Sequence, residues 1–246
     1  PYVDPEQAKK EVRSEESVTL ARRVAQASIT LLKNEHSLLP LNKNRKVAFI
    51  GPNADNRYNM LGDYTAPQEE ENIKTVLDGI RTKLSSSQVE YVKGCSSARD
   101  FKTSYKETGA AIADEKTISD MECGEGFDRA TLSLLGKQQE LLKALKATGK
   151  PLVVVYIEGR PLDKNWASEN ADAVLTAYYP GQEGGIAIAD VLFGDFNPAG
   201  RLPFSVPRSV GQIPLYYNKK APQSHDYVEM SASPLYPFGY GLSYTS

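Results

Sequence analysis

Lys46-Val47-Ala48-Phe49-Ile50-Gly51-Pro52-Asn53 is the stretch on which the fold turns. A short, continuously apolar run that stops at a Gly-Pro-Asn turn reads as a buried strand. Downstream, Ile73 to Leu84 has helical spacing and Gln88 to Val92 reads as a second strand, giving one βαβ unit. Upstream, Glu15 to Lys33 puts Val18, Ala21, Val24, Ala25, Ser28, Leu31 and Leu32 on one helical face, with Asn34-Glu35-His36-Ser37 as the stop. The rhythm resumes at Gly136 to Ala147, a predicted helix with Leu141, Leu142 and Leu145 inward and Gly149 closing it. Leu152-Val153-Val154-Val155-Tyr156-Ile157 then reads as a strand buried on both faces. Asp172 to Tyr178 is another strand, Pro180-Gly181-Gln182-Glu183-Gly184-Gly185 a turn, and Ile186 to Phe193 a helix ended by Gly194. Beyond Asn197 the chain is rich in Pro, Gly and Tyr and reads as an extended, wrapping tail. The expected fold is α/β, a mostly parallel sheet sandwiched by helices, in a single domain over residues 1–246, with sites at the carboxyl ends of strands.

Composition excludes several classes. With 29 basic against 31 acidic residues, net charge −2 and no long block of either sign, nothing favours nucleic acid or an anionic membrane as partner. No apolar run approaches the roughly 20 residues that span a bilayer. Two cysteines, Cys95 and Cys123, and two histidines, His36 and His225, do not match a structural zinc spacing, so no metal is expected. One disulfide or two free thiols both fit, and free thiols are the plainer reading. The turn after the first strand lacks a Gly-x-Gly-x-x-Gly or Gly-Lys-Ser/Thr cradle, and Pro52 removes an amide donor, so neither a nucleotide nor another cofactor is expected. The opening Pro1-Tyr2-Val3-Asp4-Pro5 reads as a chain cut from something longer.

The chemistry is concentrated in Met121-Glu122-Cys123-Gly124-Glu125-Gly126-Phe127-Asp128-Arg129. Glu125 stands between two glycines, on a loop that can carry a carboxyl group into a cleft where its surroundings tune its proton affinity, as a general acid requires. Glu122, three residues earlier on the same loop, is the runner-up. Asp128 and Arg129 read as loop braces, through an ion pair or helix-start contacts. Asp63 and Tyr64, just beyond the Gly-Pro turn, either reach into a cleft or pack the loop. Trp166 reads as core or interdomain surface, and Tyr236, Tyr240 and Tyr244 as packing rather than a binding stripe.

A series of these strings, in order, resembles the second domain of glycoside hydrolase family 3. They are Leu31-Leu32-Lys33-Asn34 through Leu38-Leu39-Pro40-Leu41; Val47-Ala48-Phe49-Ile50-Gly51-Pro52-Asn53-Ala54-Asp55; Gly62-Asp63-Tyr64; and Gly159-Arg160-Pro161-Leu162. Then come Tyr179-Pro180-Gly181-Gln182-Glu183-Gly184-Gly185, Gly194-Asp195-Phe196-Asn197-Pro198-Ala199-Gly200-Arg201-Leu202-Pro203 and the tail Tyr236-Pro237-Phe238-Gly239-Tyr240-Gly241-Leu242-Ser243-Tyr244. The resemblance implies a six-stranded α/β sandwich beside a (β/α)₈ barrel and a retaining β-glycosidase of glucosidase or xylosidase type. In that family an Asp nucleophile sits on the barrel, and a Glu acid/base, here Glu125, comes from the second domain. The implied partners are a β-linked oligosaccharide or glycoside and the barrel, which this chain lacks; the implied location is periplasmic or secreted. The rival reading is a non-catalytic carbohydrate-binding or scaffolding module.

The sequence departs from the family at Leu135, where proline often precedes Gly136, and more seriously after Gly94. There the family runs a helix and an apolar strand before the acid/base loop, whereas Cys95-Ser96-Ser97 passes directly into polar residues. The expectation is a sheet with one strand missing and a join, by gap or deletion, between Cys95 and Ser96.

Overall fold

The computed structural model describes residues 2–62, 64–95, 130–218 and 225–245. Two short helices open the chain: α1 (Pro5–Glu11), capped by Asp4, and α2 (Glu15–Ser28), capped by Ser14. They are followed by β1 (Thr30–Asn34), β2 (Val47–Ile50), α3 (Arg57–Leu61), α4 (Val76–Arg81) and β3 (Val89–Val92). After the undescribed residues come α5 (Gln138–Ala147), β4 (Val153–Tyr156), α6 (Asn165–Asn170), β5 (Ala173–Thr176) and α7 (Gly184–Leu192). Strand pairing is mostly parallel, as expected: β2 runs parallel to β3 and β4 parallel to β5. Among the described residues the strands form two sheets, β1-β5-β4 and β2-β3.

The region before Asn34 differs from its sequence reading. The helix stops at Ser28, and Thr30 to Asn34 form a strand antiparallel to β5. The β-branched pair Ile29-Thr30 favours the extended state. Leu31 and Leu32, assigned to one helical face, are both buried but enter different core clusters, as neighbours on a strand must. Val24, expected inward, is 60% exposed; α2 instead buries Ala25 and turns Arg22 and Gln26 toward α7. There both side chains donate to the buried Asp190 carboxylate, which also receives the Lys83 ammonium. Three donors on one carboxylate make that burial tolerable, since an unpaired buried charge is strongly unfavourable.

The helices α4 and α7 cross at backbone contact. A Cβ built on Gly79 would lie 2.0 Å from the Gly185 carbonyl oxygen, and one on Gly185 would lie 1.9 Å from that of Thr75. Thr75 opens α4 with a reciprocal capping box to Asp78 and bonds Asp55, fixing the helix to the loop after β2. The tail wraps as expected. Leu242 bridges to Leu31 and Tyr236 to Val206, while the Tyr240 and Tyr244 hydroxyls donate to the Leu32 and Val191 carbonyls. Tyr236 is buried and Trp166 is half-buried against the same cluster, so both serve packing.

Two carboxylates tie surface connections to this frame. Hydrogen bonds from Lys43 and Lys83 hold the Asp195 carboxyl below the usual range, against a smaller opposing effect of burial. At Asp172 burial opposes ionisation, but the Leu152 amide and the Lys146 ammonium outweigh it. A depressed folded pKa contributes stability that is present above the unfolded value, about 3.9, and lost as pH falls through the folded one. Thermal unfolding should therefore change little between neutral pH and that value and fall steeply in more acid buffer. The Asp172→Asn, Asp195→Asn double variant should start lower and fall less; an acid slope equal to that of the parent would assign the effect to other carboxylates.

Candidate active site

The loops at the carboxyl ends of the strands are built to hold side chains still. After β2, the segment Gly51 to Gly62 is pinned three ways: Asn59 donates to the Asn53 side chain (2.7 Å), Leu77 N–H to the Ala54 carbonyl (2.8 Å), and Gly181 N–H to the Met60 carbonyl (2.8 Å). Gly62 adopts φ +82°, and a Cβ there would lie 2.5 Å from the Tyr179 ring. Only glycine suits that combination of left-handed backbone and close approach. Gly62 thus lies against the ring of Tyr179, on the loop that follows β5. Tyr64 is 79% exposed; Asp63 lies outside the described residues.

Glu122, Glu125, Asp128 and Arg129 also lie outside the described residues, as do Cys123 and Ser96, and with Ser96 the junction at Cys95. The two flanks of that segment are described. It leaves from β3 through Gly94, whose φ of +73° brings its backbone against Leu141 of α5. Cys95 is a free thiol whose pKa burial pushes up. The chain returns at Ala130, and two residues on, the Leu132 carbonyl accepts from Asp163 N–H at 2.8 Å. Asp163 belongs to the connection after β4, so the segment bearing Glu125 is anchored at the carboxyl ends of β3 and β4.

That second anchor rests on a buried ion pair that sequence reading missed. Glu158, at the end of β4, accepts from Lys164 Nζ (2.6 Å), Thr176 Oγ1 (2.6 Å) and Leu162 N–H (3.1 Å). Lys164 is 0% exposed, bonds the Leu162 carbonyl and lies 4.4 Å over the Tyr156 ring. The available signal was a glutamate adjoining a strand read as buried on both faces, with a lysine six residues on. Next to it Tyr178 takes φ +56°, an outlier for a bulky residue, while its carbonyl accepts from Glu158 N–H. Burial raises the Tyr178 phenol pKa, aided by the Glu158 charge and opposed by the Thr30 hydroxyl.

The described residues thus form an α/β layer, its strand pairing mostly parallel, whose strand ends carry braced loops. The chain belongs to the glycosyl hydrolase family 3 C-terminal domain family, whose model matches residues 29–244. It is 39% identical to the periplasmic β-glucosidase of Salmonella typhimurium, in an alignment using 92% of this chain and 34% of that protein. That alignment runs over 264 residues, more than this chain has, so the relative carries residues with no counterpart here. It is 38% identical to a β-xylosidase of Formosa agariphila, over 96% of this chain and 35% of the relative. The crystal structure of a β-glucosidase from Listeria innocua superposes with a TM-score of 0.81 at 31% identity, covering 98% of this chain and 35% of that one. The chain thus spans about a third of the length of the relatives it matches. Among the described residues no helix is long and apolar enough to cross a membrane.

Proposed function

We propose that this chain is the acid/base-bearing part of a retaining β-glycosidase of glucosidase or xylosidase type, working against a barrel domain of the same polypeptide that supplies the nucleophile. The observation that carries the reading is family membership over residues 29–244 together with the Glu-Gly-x-Asp-Arg register at Glu125 to Arg129. Glu125 protonates the departing glycosidic oxygen and then, as carboxylate, activates the water that opens the glycosyl-enzyme. Glu122 is the next candidate for that role. Asp128 and Arg129 brace the loop, and Asp63 and Tyr64 approach the sugar from the β2 side. The exposure of Tyr64 and the two anchors of the Glu125 segment support this arrangement. The substrate is a β-linked glucoside or pentoside, no cofactor takes part, and the enzyme works in the periplasm, as the Salmonella relative's name suggests, or is secreted, as the family resemblance implies.

Retention needs two carboxyl groups about 5–5.5 Å apart, of which this chain holds one. The full-length enzyme is therefore expected to release glucose or a pentose from nitrophenyl β-glycosides with retained configuration, while the 246-residue chain alone gives no turnover. Turnover by the purified chain, free of contaminating glycosidase, would place both carboxylates within it and overturn the division of labour.

A further inference from the structure

Two tyrosines in succession follow β5, and the first has an unusual backbone. Tyr178 takes φ +56°, a left-handed conformation that a bulky residue seldom adopts and that persists only where its surroundings hold it. Three contacts do so here. Its carbonyl accepts from Glu158 N–H at 3.1 Å, its hydroxyl lies 3.3 Å from Thr30 Oγ1, and its ring meets Phe204 edge-on at 6.0 Å. Thr30 and Glu158 are both buried, so the bend is held from the core.

At this bend the two rings part. Tyr178 faces Phe204, which packs on the cluster of Val154 and Val174, whereas Tyr179 packs on the cluster of α4 and α7. There the Tyr179 ring meets Gly62, whose φ +82° and ψ −169° suit glycine alone and leave no room for a Cβ. Two backbone bonds keep the loops in this register: Gly181 N–H donates to the Met60 carbonyl and Lys74 N–H to the Gln182 carbonyl, each at 2.8 Å. Met60, two residues before Gly62, is wholly buried, and Tyr64, two residues after it, is exposed. The chain goes from core to surface at the contact of Gly62 with Tyr179.

We propose that Tyr179 is a positioning residue for glycoside binding: its ring is the seat against which the Gly62 turn rests, and it sets where Tyr64 stands toward the sugar. Tyr178 and Glu158 fix the ring in turn. The assignment rests on the β-glycosidase reading above, in which Tyr64 approaches the sugar, and adds the residue that holds it there. A ring with two torsions is a stiff support, and a glycine backbone can lie flat against it. Such a support acts on ground state and transition state alike, so its loss moves KM rather than kcat.

The test is steady-state hydrolysis of nitrophenyl β-glucoside and β-xyloside by the full-length enzyme and its variants. Tyr179→Ala should raise KM about tenfold with kcat within about twofold of the parent, and Tyr179→Phe, which keeps the ring, should recover most of that loss. Tyr64→Ala should raise KM to a similar degree. The Tyr64→Ala, Tyr179→Ala double variant should be no worse than the poorer single one, because the seat then has nothing to position. Amide exchange in the same enzyme reads the seat without turnover: in Tyr179→Ala, Arg57–Leu61 should exchange about tenfold faster while α5 stays as in the parent. Additive losses in the double variant, an unchanged KM in Tyr179→Ala, or an equal loss in Tyr179→Phe would each overturn the assignment. A lowered kcat with faster exchange throughout the domain would overturn it too, making Tyr179 a core support only. A full-length parent inactive on both glycosides would overturn the β-glycosidase reading and the glycoside role of Tyr179 with it, while faster exchange confined to Arg57–Leu61 would still support the seat.

Discussion

In the full-length enzyme, Glu125→Gln should slow hydrolysis of glycosides with poor leaving groups by about 10²–10⁴-fold, the usual contribution of a positioned general acid. Activated aryl glycosides should lose far less in the first step, because a good leaving group departs without a proton. Their steady state should then be limited by breakdown of the glycosyl-enzyme, which still needs a base, and a burst of aryl alcohol should precede it. Azide attacks without base help and should restore turnover, yielding a glycosyl azide of retained configuration. These signatures separate a proton-transfer role from a binding role, which would raise KM for every substrate alike. Equal losses across leaving groups, without rescue, would move the assignment to Glu122.

Why Glu125, in the acid/base role proposed for it, would need a second carboxylate from elsewhere in the protein follows from the chemistry of that role. A general acid must be protonated in the free enzyme and ionised once the nucleophile's charge is consumed in the covalent bond, so the proton affinities of the two carboxyls are coupled. The described strand ends contribute position. Gly62 over Tyr179, the Asn59–Asn53 bond and the Asp163–Leu132 bond fix where the two site-bearing segments leave and re-enter the layer.

Much of this was legible in the residues. Continuous apolar runs marked β2, β4 and β5, whereas periodicity alone started the helix at Ile73, three residues before α4 begins behind its Thr75 cap at Val76. Gly136, at φ +59°, delays α5 to Gln138 for a similar local reason. The helix-to-strand switch at Ser28 was not legible from spacing. Ile29, Leu31 and Leu32 satisfy both periods over so short a run, and the decision rests on pairing with β5, a contact between residues far apart in the chain. β4, read as a strand buried on both faces, is buried on one: Val154 and Tyr156 are buried while Val153 and Val155 on the other face are half-buried, and among the described strands β4 has a single neighbour, β5. Charged pairs inside the core leave the weakest trace of all, since a glutamate and a lysine six residues apart are ordinary in any soluble sequence.

That last pair carries the second large expected effect. Removing the ammonium alone, as Lys164→Met, leaves the Glu158 carboxylate 1% exposed with only neutral donors, Thr176 and Leu162 N–H. Breaking a buried pair from one side typically costs about 3–5 kcal/mol, more than the pair itself contributes, because the remaining charge cannot be hydrated. Urea unfolding of the variant should show a loss of that size with an unchanged dependence on denaturant. The double variant Glu158→Gln, Lys164→Met should regain much of it, since the amide oxygen can accept from Leu162 N–H while the amide NH2 donates to the Thr176 hydroxyl, with no stranded charge. A loss below about 1 kcal/mol would mean that water reaches Glu158 and that the pair acts as a surface bridge. The consequence extends to the proposed active site. Glu158 and Lys164 clamp the turn that ends in Asp163, whose N–H holds Leu132 at the return of the Glu125 segment. In the full-length enzyme the double variant, refolded to near-parent stability, should therefore still show reduced kcat on poor leaving groups. Restored stability with fully restored kcat would confine the clamp to holding the core.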